Sequence, residues 1–326
     1  MSDNIITDGM VDGKIHGSVA KRLLANNFNV NEFRTLDTLR KDEWKQFDEQ
    51  IISAAQTRLT GISDLVSRGL VYNIPNGLGK TVLEYEDVSD VQAANISMDG
   101  ATRGQNDRVE YEIRYLPLPI VHADFQLNAR VLASSRTTGA PLDTTIAELK
   151  ARKVAEKLEN MLFTNDPYTF GGGTIYGYLN QPNRNTTSLT ANWDDTSANI
   201  LTDVLTMKQA LIDDRFYGPY VLYVPVNFET ALDEDFKANS DKSIRQRLLE
   251  VAGISDIRVA DHLTADTVVM VQMTPDVVRL VQGLPMTTVE WDSEGGMVFH
   301  FKVMTISVLQ VRYDQNLRCR VCSGTV

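Results

Sequence analysis

The chain has 326 residues and a mass of 36.4 kDa, with 43% apolar and 23% charged residues, ordinary globular values that exclude wholesale disorder. Thirty-two Lys and Arg against 43 Asp and Glu give a formal charge of −11, which excludes a general binder of phosphate backbones. Two closely spaced cysteines, Cys319 and Cys322, exclude a disulfide scaffold.

The length is about two domains' worth. The first residues lack the basic start and apolar core of a signal peptide. No apolar run nears the roughly 18 residues that span a bilayer. The expectation is a soluble protein made inside the cell.

Residues 1–40 are weakly periodic and read as an arm ordered by a partner surface. From Asp42 to Val66, Trp44, Phe47, Ile51, Ala55, Leu59, Ile62 and Leu65 recur every three or four residues, one face of an amphipathic helix. Gly69 is its stop. Leu70 onward turns to strand, with a turn at Asn76-Gly77. Lys80–Val91 and Arg108–Leu116 alternate as two strands around a polar tip, Asn95–Asp107. Val109, Tyr111, Ile113 and Tyr115 share one face of the second strand. Such a hairpin is marginal alone in water, so its apolar face needs a neighbour.

Thr145 and Glu148 form a capping box that opens a second helix, with Ile146, Leu149, Val154, Leu158 and Met161 as its stripe and Arg152–Glu156 as a surface pair. It ends near Asn165-Asp166-Pro167. A Gly-rich connector and a linker at Gln181–Thr190 lead to a third helix over Thr196–Ile212. Mixed elements follow: a strand at Tyr220–Val224, helices at Val226–Lys237 and Lys242–Val251, strands at Asp256–Ala260 and Thr267–Gln272, and a helical turn at Thr274–Val281. The tail is β: Thr287–Trp291, Met297–Met304, Ser307–Tyr313 and Arg318–Val321.

The chain carries no concentrated catalytic constellation. Asn76-Gly-Leu-Gly-Lys-Thr81 ends like a phosphate loop, but Ile74 stands where its first Gly belongs and no helix follows, so it reads as a turn. Gly171-Gly-Gly173 lacks the dinucleotide offsets. Cys319 and Cys322 have no second Cys pair for zinc and no helix N-terminus for redox work. His122 and Asp124 would share a strand face, and Asp261 adjoins His262; neither pair has a nucleophile motif nearby. No catalytic, cofactor or metal residue is assigned, and the expectation is a protein that is not an enzyme.

The order of several phrases resembles the encapsulin-like branch of tailed-bacteriophage major capsid proteins, which share the Hong Kong 97 fold. The carrying residues are Asn31–Arg40, Gly77–Asp90, Ile96–Gly104, Leu116–Phe125, Pro141–Thr145, Arg152–Glu159, Gly177–Thr186 and the tail from Gly283 to Val321. The resemblance implies an α+β chain: an N-terminal arm (1–40), an amphipathic helix of a peripheral domain (41–69), an extended β-hairpin loop with flanking strands (70–125), the peripheral domain with its long spine helix (126–167), an axial domain (168–285) and a C-terminal return to the peripheral sheet (286–326).

It implies self-assembly into pentamers and hexamers of an icosahedral head enclosing double-stranded DNA, without cofactors or membrane. Scaffold, portal and decoration proteins are the implied partners, and the virion, made in host cytoplasm, is the implied location. An encapsulin-type nanocompartment is the alternative, and a soluble α+β enzyme the third. Candidate inter-subunit contacts on the extended loop are Glu84, Glu86, Asp87, Met98, Asp99, Arg103, Asp107 and Arg108. Some members of this fold weld neighbours through a loop Lys. No Lys occurs between Thr81 and Leu149, so cohesion is expected to be non-covalent. An arm of about 40 residues is short for a fused scaffolding domain, so a separate scaffold is expected. The acidic balance suits a wall that encloses DNA without gripping it.

Overall fold

The computed structural model describes residues 10–11, 14–15, 60–88, 98, 111–131, 145–163, 167–195, 198–236, 241–294, 297–313 and 318–326. The helix expected from Asp42 lies outside these residues up to its last turns. So does the arm, apart from β1 (Met10–Val11) and β2 (Lys14–Ile15), which pair antiparallel.

Helix α1 (Thr60–Ser67) ends where the sequence places a stop. Gly69 adopts φ +71, Leu70 N–H donates to Leu65 O and Gly69 N–H to Val66 O, the paired bonds of a glycine C-cap. Strand β3 (Val71–Asn73) follows, then a left-handed Asn76 (φ +57) and one 3-10 turn, Gly77–Gly79. The turn reading of Asn76-Gly77 therefore holds. A Cβ on Gly77 would lie 2.3 Å from Gly283 Cα, so the glycine also permits a close backbone approach.

Strands β4 (Val82–Val88), β5 (Tyr111–Pro117) and β6 (Val121–Asn128) precede the long helix α2 (Thr145–Phe163), which begins at the expected capping threonine. Next come β7 (Tyr168–Phe170), β8 (Gly173–Ile175), β9 (Asn185–Ser188) and helix α3 (Ile200–Asp213). Strand β10 (Tyr220–Pro225) leads to the short helices α4 (Glu229–Leu232) and α5 (Ile244–Leu249), then to β11 (Ile254–Ala260) and β12 (Thr267–Gln272). Three strands close the chain: β13 (Val278–Ser293), β14 (Val298–Val311) and β15 (Val321–Thr325).

Four departures from the sequence reading have physical causes. The Gly-rich connector is an antiparallel hairpin, β7–β8, because Gly171 and Gly172 take φ +59 and +80 at its turn. The linker at 181–190 contains β9, whose polar Asn-Thr-Thr-Ser sequence is stabilised by pairing with β15. The expected helix at Val226–Lys237 shrinks to a 3-10 turn and α4. The tail differs from expectation: β13 begins at Val278, inside the expected helical turn at Thr274–Val281, and runs unbroken through Gly283 and Pro285, β14 absorbs two predicted strands, and β15 starts at Val321, where the expected Arg318–Val321 strand was to end.

The chain forms two compact units. The first comprises Met1–Thr81, Leu118–Asn160 and Leu280–Val308. Its sheet has the order β3-β13-β14-β6. Phe125 and Phe301 stack at 5.0 Å on one face, against Ala147, Ala151 and Val154 of α2. Alanines at 147 and 151 let the helix lie close to the sheet. The carboxylate of Glu159 on α2, 1% exposed, accepts from the N–H groups of Gly61 (2.8 Å) and Ile62 (3.4 Å). These two bonds tie α2 to α1.

The second unit comprises Val82–Pro117, Met161–Arg279 and Leu309–Val326. Its mixed sheet has the order β11-β10-β12-β15-β9. Strands β10 and β12 are buried throughout, which explains their continuous apolar runs. Val204, Met207 and Leu211 of α3 join the same core, as does Trp193 stacked on Phe228 at 5.6 Å. Asp203 in the first turn of α3 is buried but satisfied. It accepts from Thr190 N–H (3.0 Å), Thr190 Oγ1 (3.2 Å) and Trp193 Nε1 (3.0 Å).

Two outcomes follow for stability. Glu159→Ala leaves the N–H groups of Gly61 and Ile62 without their carboxylate and should cost about 2 kcal/mol in urea unfolding, while Glu159→Gln retains one acceptor and should cost less. An unchanged midpoint for Glu159→Ala would show that water replaces the carboxylate. Burial pushes the thiols of Cys319 and Cys322 up from 9.0 to about 12 and about 11. Unfolded thiols ionise first, so the unfolded state binds fewer protons and stability should fall as pH rises from about 9 to 12. Replacing both cysteines by Ala should flatten that fall, and native thiols should resist alkylation at pH 8.

Candidate interaction surface

Among the described residues, the β4–β5 ribbon carries several exposed large apolar side chains. Its antiparallel register pairs Glu84 with Tyr115, Glu86 with Ile113 and Val88 with Tyr111. Leu83–Leu116, Tyr85–Arg114 and Asp87–Glu112 occupy the alternate positions. Successive side chains point to opposite faces, so the two sets lie on different sides. On the first side Tyr111, Ile113 and Tyr115 are 65, 54 and 38% exposed. On the second, Leu116 is buried and the Arg114 guanidinium sits 5.3 Å from the centre of the Tyr313 ring.

The alternation expected within β5 is present. The register adds what one strand could not show: Glu84 and Glu86 join the tyrosines and Ile113 on one face. That face is an apolar stripe with an acidic border, the composition of a surface that meets another protein.

The candidate contact residues fall as follows. Glu84 and Glu86 are exposed on this face. Asp87 lies in register with Glu112 on the reverse face, and its side chain is outside the described residues. Met98 is fully exposed. Asp99, Arg103, Asp107 and Arg108 lie outside the described residues.

At the root of the ribbon β8 packs under β5. A Cβ on Gly173 would sit 2.1 Å from Tyr115 O, so only glycine admits this approach. Beside it opens a cavity of about 270 Å³ lined by Tyr85, Arg114, Thr174, Tyr176, Gln181, Gln310 and Tyr313, among others. Arg114 also pairs with Glu112 at 3.0 Å. Burial holds the Tyr313 phenol well above its ordinary range. Sequence reasoning missed Gln181, Gln310 and Tyr313. The glycine triplet was the one available signal, since clustered glycines mark close backbone approach.

The residues weighed for catalysis are placed differently. His122 Nδ1 lies 3.3 Å from Asp124, and Lys302 lies 3.5 Å from the same carboxylate, across the β6–β14 register. His122 and Asp124 are half exposed, so this is a solvated surface network. His300 stacks on Trp291 at 5.3 Å and meets Ser293 Oγ at 2.7 Å. Asp261 and His262 sit in the turn after β11. Both cysteines are buried thiols. Among the described residues no group of three or more His, Cys, Asp or Glu could hold a metal ion.

Comparison with known proteins places this geometry. The chain is 23% identical over 233 residues to the type 1 encapsulin shell protein EncA of Myxococcus xanthus, covering 71% of each chain. Its fold is similar to the virus-like particle of Pyrococcus furiosus, with a TM-score of 0.63 and 16% identity over 86% of this chain and 98% of that one. It is also similar to the capsid of Myoviridae phage XM1, with a TM-score of 0.61 and 12% identity over 80% and 90%. The fold is thus the α+β Hong Kong 97-type capsid fold that the sequence resembles. Residues 31–323 match the family described as Family of unknown function (DUF6260), and the chain belongs to that family.

Proposed function

We propose that this chain is a shell subunit whose copies assemble into a closed icosahedral particle, and that the particle is a phage head enclosing double-stranded DNA. The observation that carries the reading is the exposed Tyr111–Ile113–Tyr115 stripe on a two-stranded ribbon, in a chain with a capsid fold. Such a stripe is unfavourable in water, and burial against a neighbour removes that cost. A closed shell needs a contact between unlike patches that repeats around rings and still closes. The acidic border of Glu84 and Glu86 favours reversible, steered contacts over indiscriminate adhesion.

In this reading residues 1–40 are the arm, 70–125 the extended loop, 126–167 the spine region and 168–285 the axial domain. The work is mechanical, without a catalytic step. A separate scaffold, a portal and decoration proteins complete the head, and the mature location is the virion. The net charge of −11 keeps the wall from gripping packed DNA. The similarity to a curated encapsulin shell protein favours a second reading, a nanocompartment around a protein cargo.

Electron microscopy of the purified protein, alone and with a candidate scaffold, tests the shell. Hollow icosahedral particles are expected, and a small oligomer under all conditions would contradict it. Nucleic-acid content of particles from the native source separates the head from the compartment. Ile113→Asp should abolish particles while leaving the chain folded by circular dichroism. Boiling in detergent should return particles to a single monomer band. A ladder of linked chains would overturn the non-covalent reading.

A further inference from the structure

Helix α2 carries an outward face whose composition answers that of the ribbon. Ala147, Ala151, Val154, Ala155 and Leu158 share one side of the helix, and all are buried. Ile146, Leu149, Lys150, Lys153 and Lys157, spaced by three and four residues, share the opposite side. Ile146 and Leu149 are 40 and 51% exposed, and the Lys153 side chain is 71% exposed. The sequence expectation put Ile146 and Leu149 in the core stripe. The structure buries the alanines instead, because small side chains let the helix approach the sheet, and the two larger residues are left outside.

In a chain of net charge −11, three lysines on one helix face form an island of positive charge. Lys153 pairs with Glu156 at 2.7 Å, an exposed pair of the weak kind that a new partner can displace. Lys150 and Lys157 form no ion pair among the described residues. By contrast, the cations around exposed Leu249 are matched within the chain: Arg245 pairs with Asp233, and Lys242 and Arg247 pair with Glu250.

The ribbon presents the complementary arrangement. Tyr111, Ile113 and Tyr115 form its apolar stripe, and the exposed Glu84 and Glu86 border it without an ion pair among the described residues. Tyr111 to Tyr115 spans about 14 Å of strand, and Ile146 to Lys157 about 16 Å of helix. The two faces agree in length and apolar content and are opposite in charge. A ribbon face set against a second ribbon face would oppose glutamates to glutamates, and two α2 faces would oppose lysines to lysines. The favourable pairing is between unlike faces of two copies, the kind of contact that repeats around a ring.

We propose that the ribbon face of one copy docks on the outer face of α2 in the next, with Tyr111, Ile113 and Tyr115 against Ile146 and Leu149 and with Glu84 and Glu86 facing the three lysines. The proposal rests on the shell reading and names the partner surface of its exposed stripe. The apolar residues supply adhesion, and the charges select the unlike face.

A charge-reversal cycle tests it. Lys153→Glu with Lys157→Glu should raise the protein concentration for half-assembly, followed by light scattering, about tenfold, and Glu84→Lys with Glu86→Lys should do the same. All four substitutions in one chain restore opposite signs and should return assembly to within about threefold of wild type. The four positions are exposed, so unfolding midpoints should match wild type. Particles mixed from Ile113→Cys and Leu149→Cys chains should give a disulfide-linked dimer on oxidation that neither variant gives alone, since Cys319 and Cys322 are buried. Pairs that assemble like wild type, a fourfold variant no better than either pair, or mixed particles without the dimer would overturn the seat on α2 and leave the shell reading standing. A wild-type chain that forms no particles would overturn both.

Discussion

A two-stranded ribbon has one face too many. In β4–β5 the face carrying Leu83 and Leu116 turns toward buried residues of its own unit, and the face carrying Tyr111, Ile113 and Tyr115 is left exposed among the described residues. Water is a poor solvent for that stripe, and two strands lack the further strands or helix that would hold them together. The remaining architecture is consistent with serving this imbalance. Gly173 lets β8 press under β5, Arg114 is held over Tyr313, and the root of the ribbon is therefore fixed while its outer face stays available.

Each unit also has its own packed core. In the first, stacked Phe125 and Phe301 and the alanine face of α2 form a dry core, and Glu159 ties α1 to the long helix. In the second, two fully buried strands carry the sheet, and Asp203 gathers three donors at the start of α3. These groups are satisfied internally.

Local signals made much of the fold legible. Gly69 announced a C-cap and the structure forms one; Thr145 announced a helix start and α2 begins there. What the sequence could not show was pairing. Nothing in Asn185–Ser188 marks a strand, because its stability comes from β15 more than 130 residues away. Gly283 and Pro285 looked like a break, yet β13 continues through them, since Gly283 faces the close backbone of Gly77. The exposed stripe could be read from alternation within β5, but its acidic border needed the register with β4. The cavity was illegible because Gln181, Gln310 and Tyr313 are distant in sequence and ordinary in type.

In the shell we propose, another copy of the chain completes the outer face of the ribbon. Hydrogen exchange at the backbone amides of Tyr111–Leu116 tests this when assembled particles are compared with dissociated subunits at the same pH and temperature. Strong protection is expected in the particle and rapid exchange in the subunit. Equal protection in the two states would mean that the ribbon needs no neighbour.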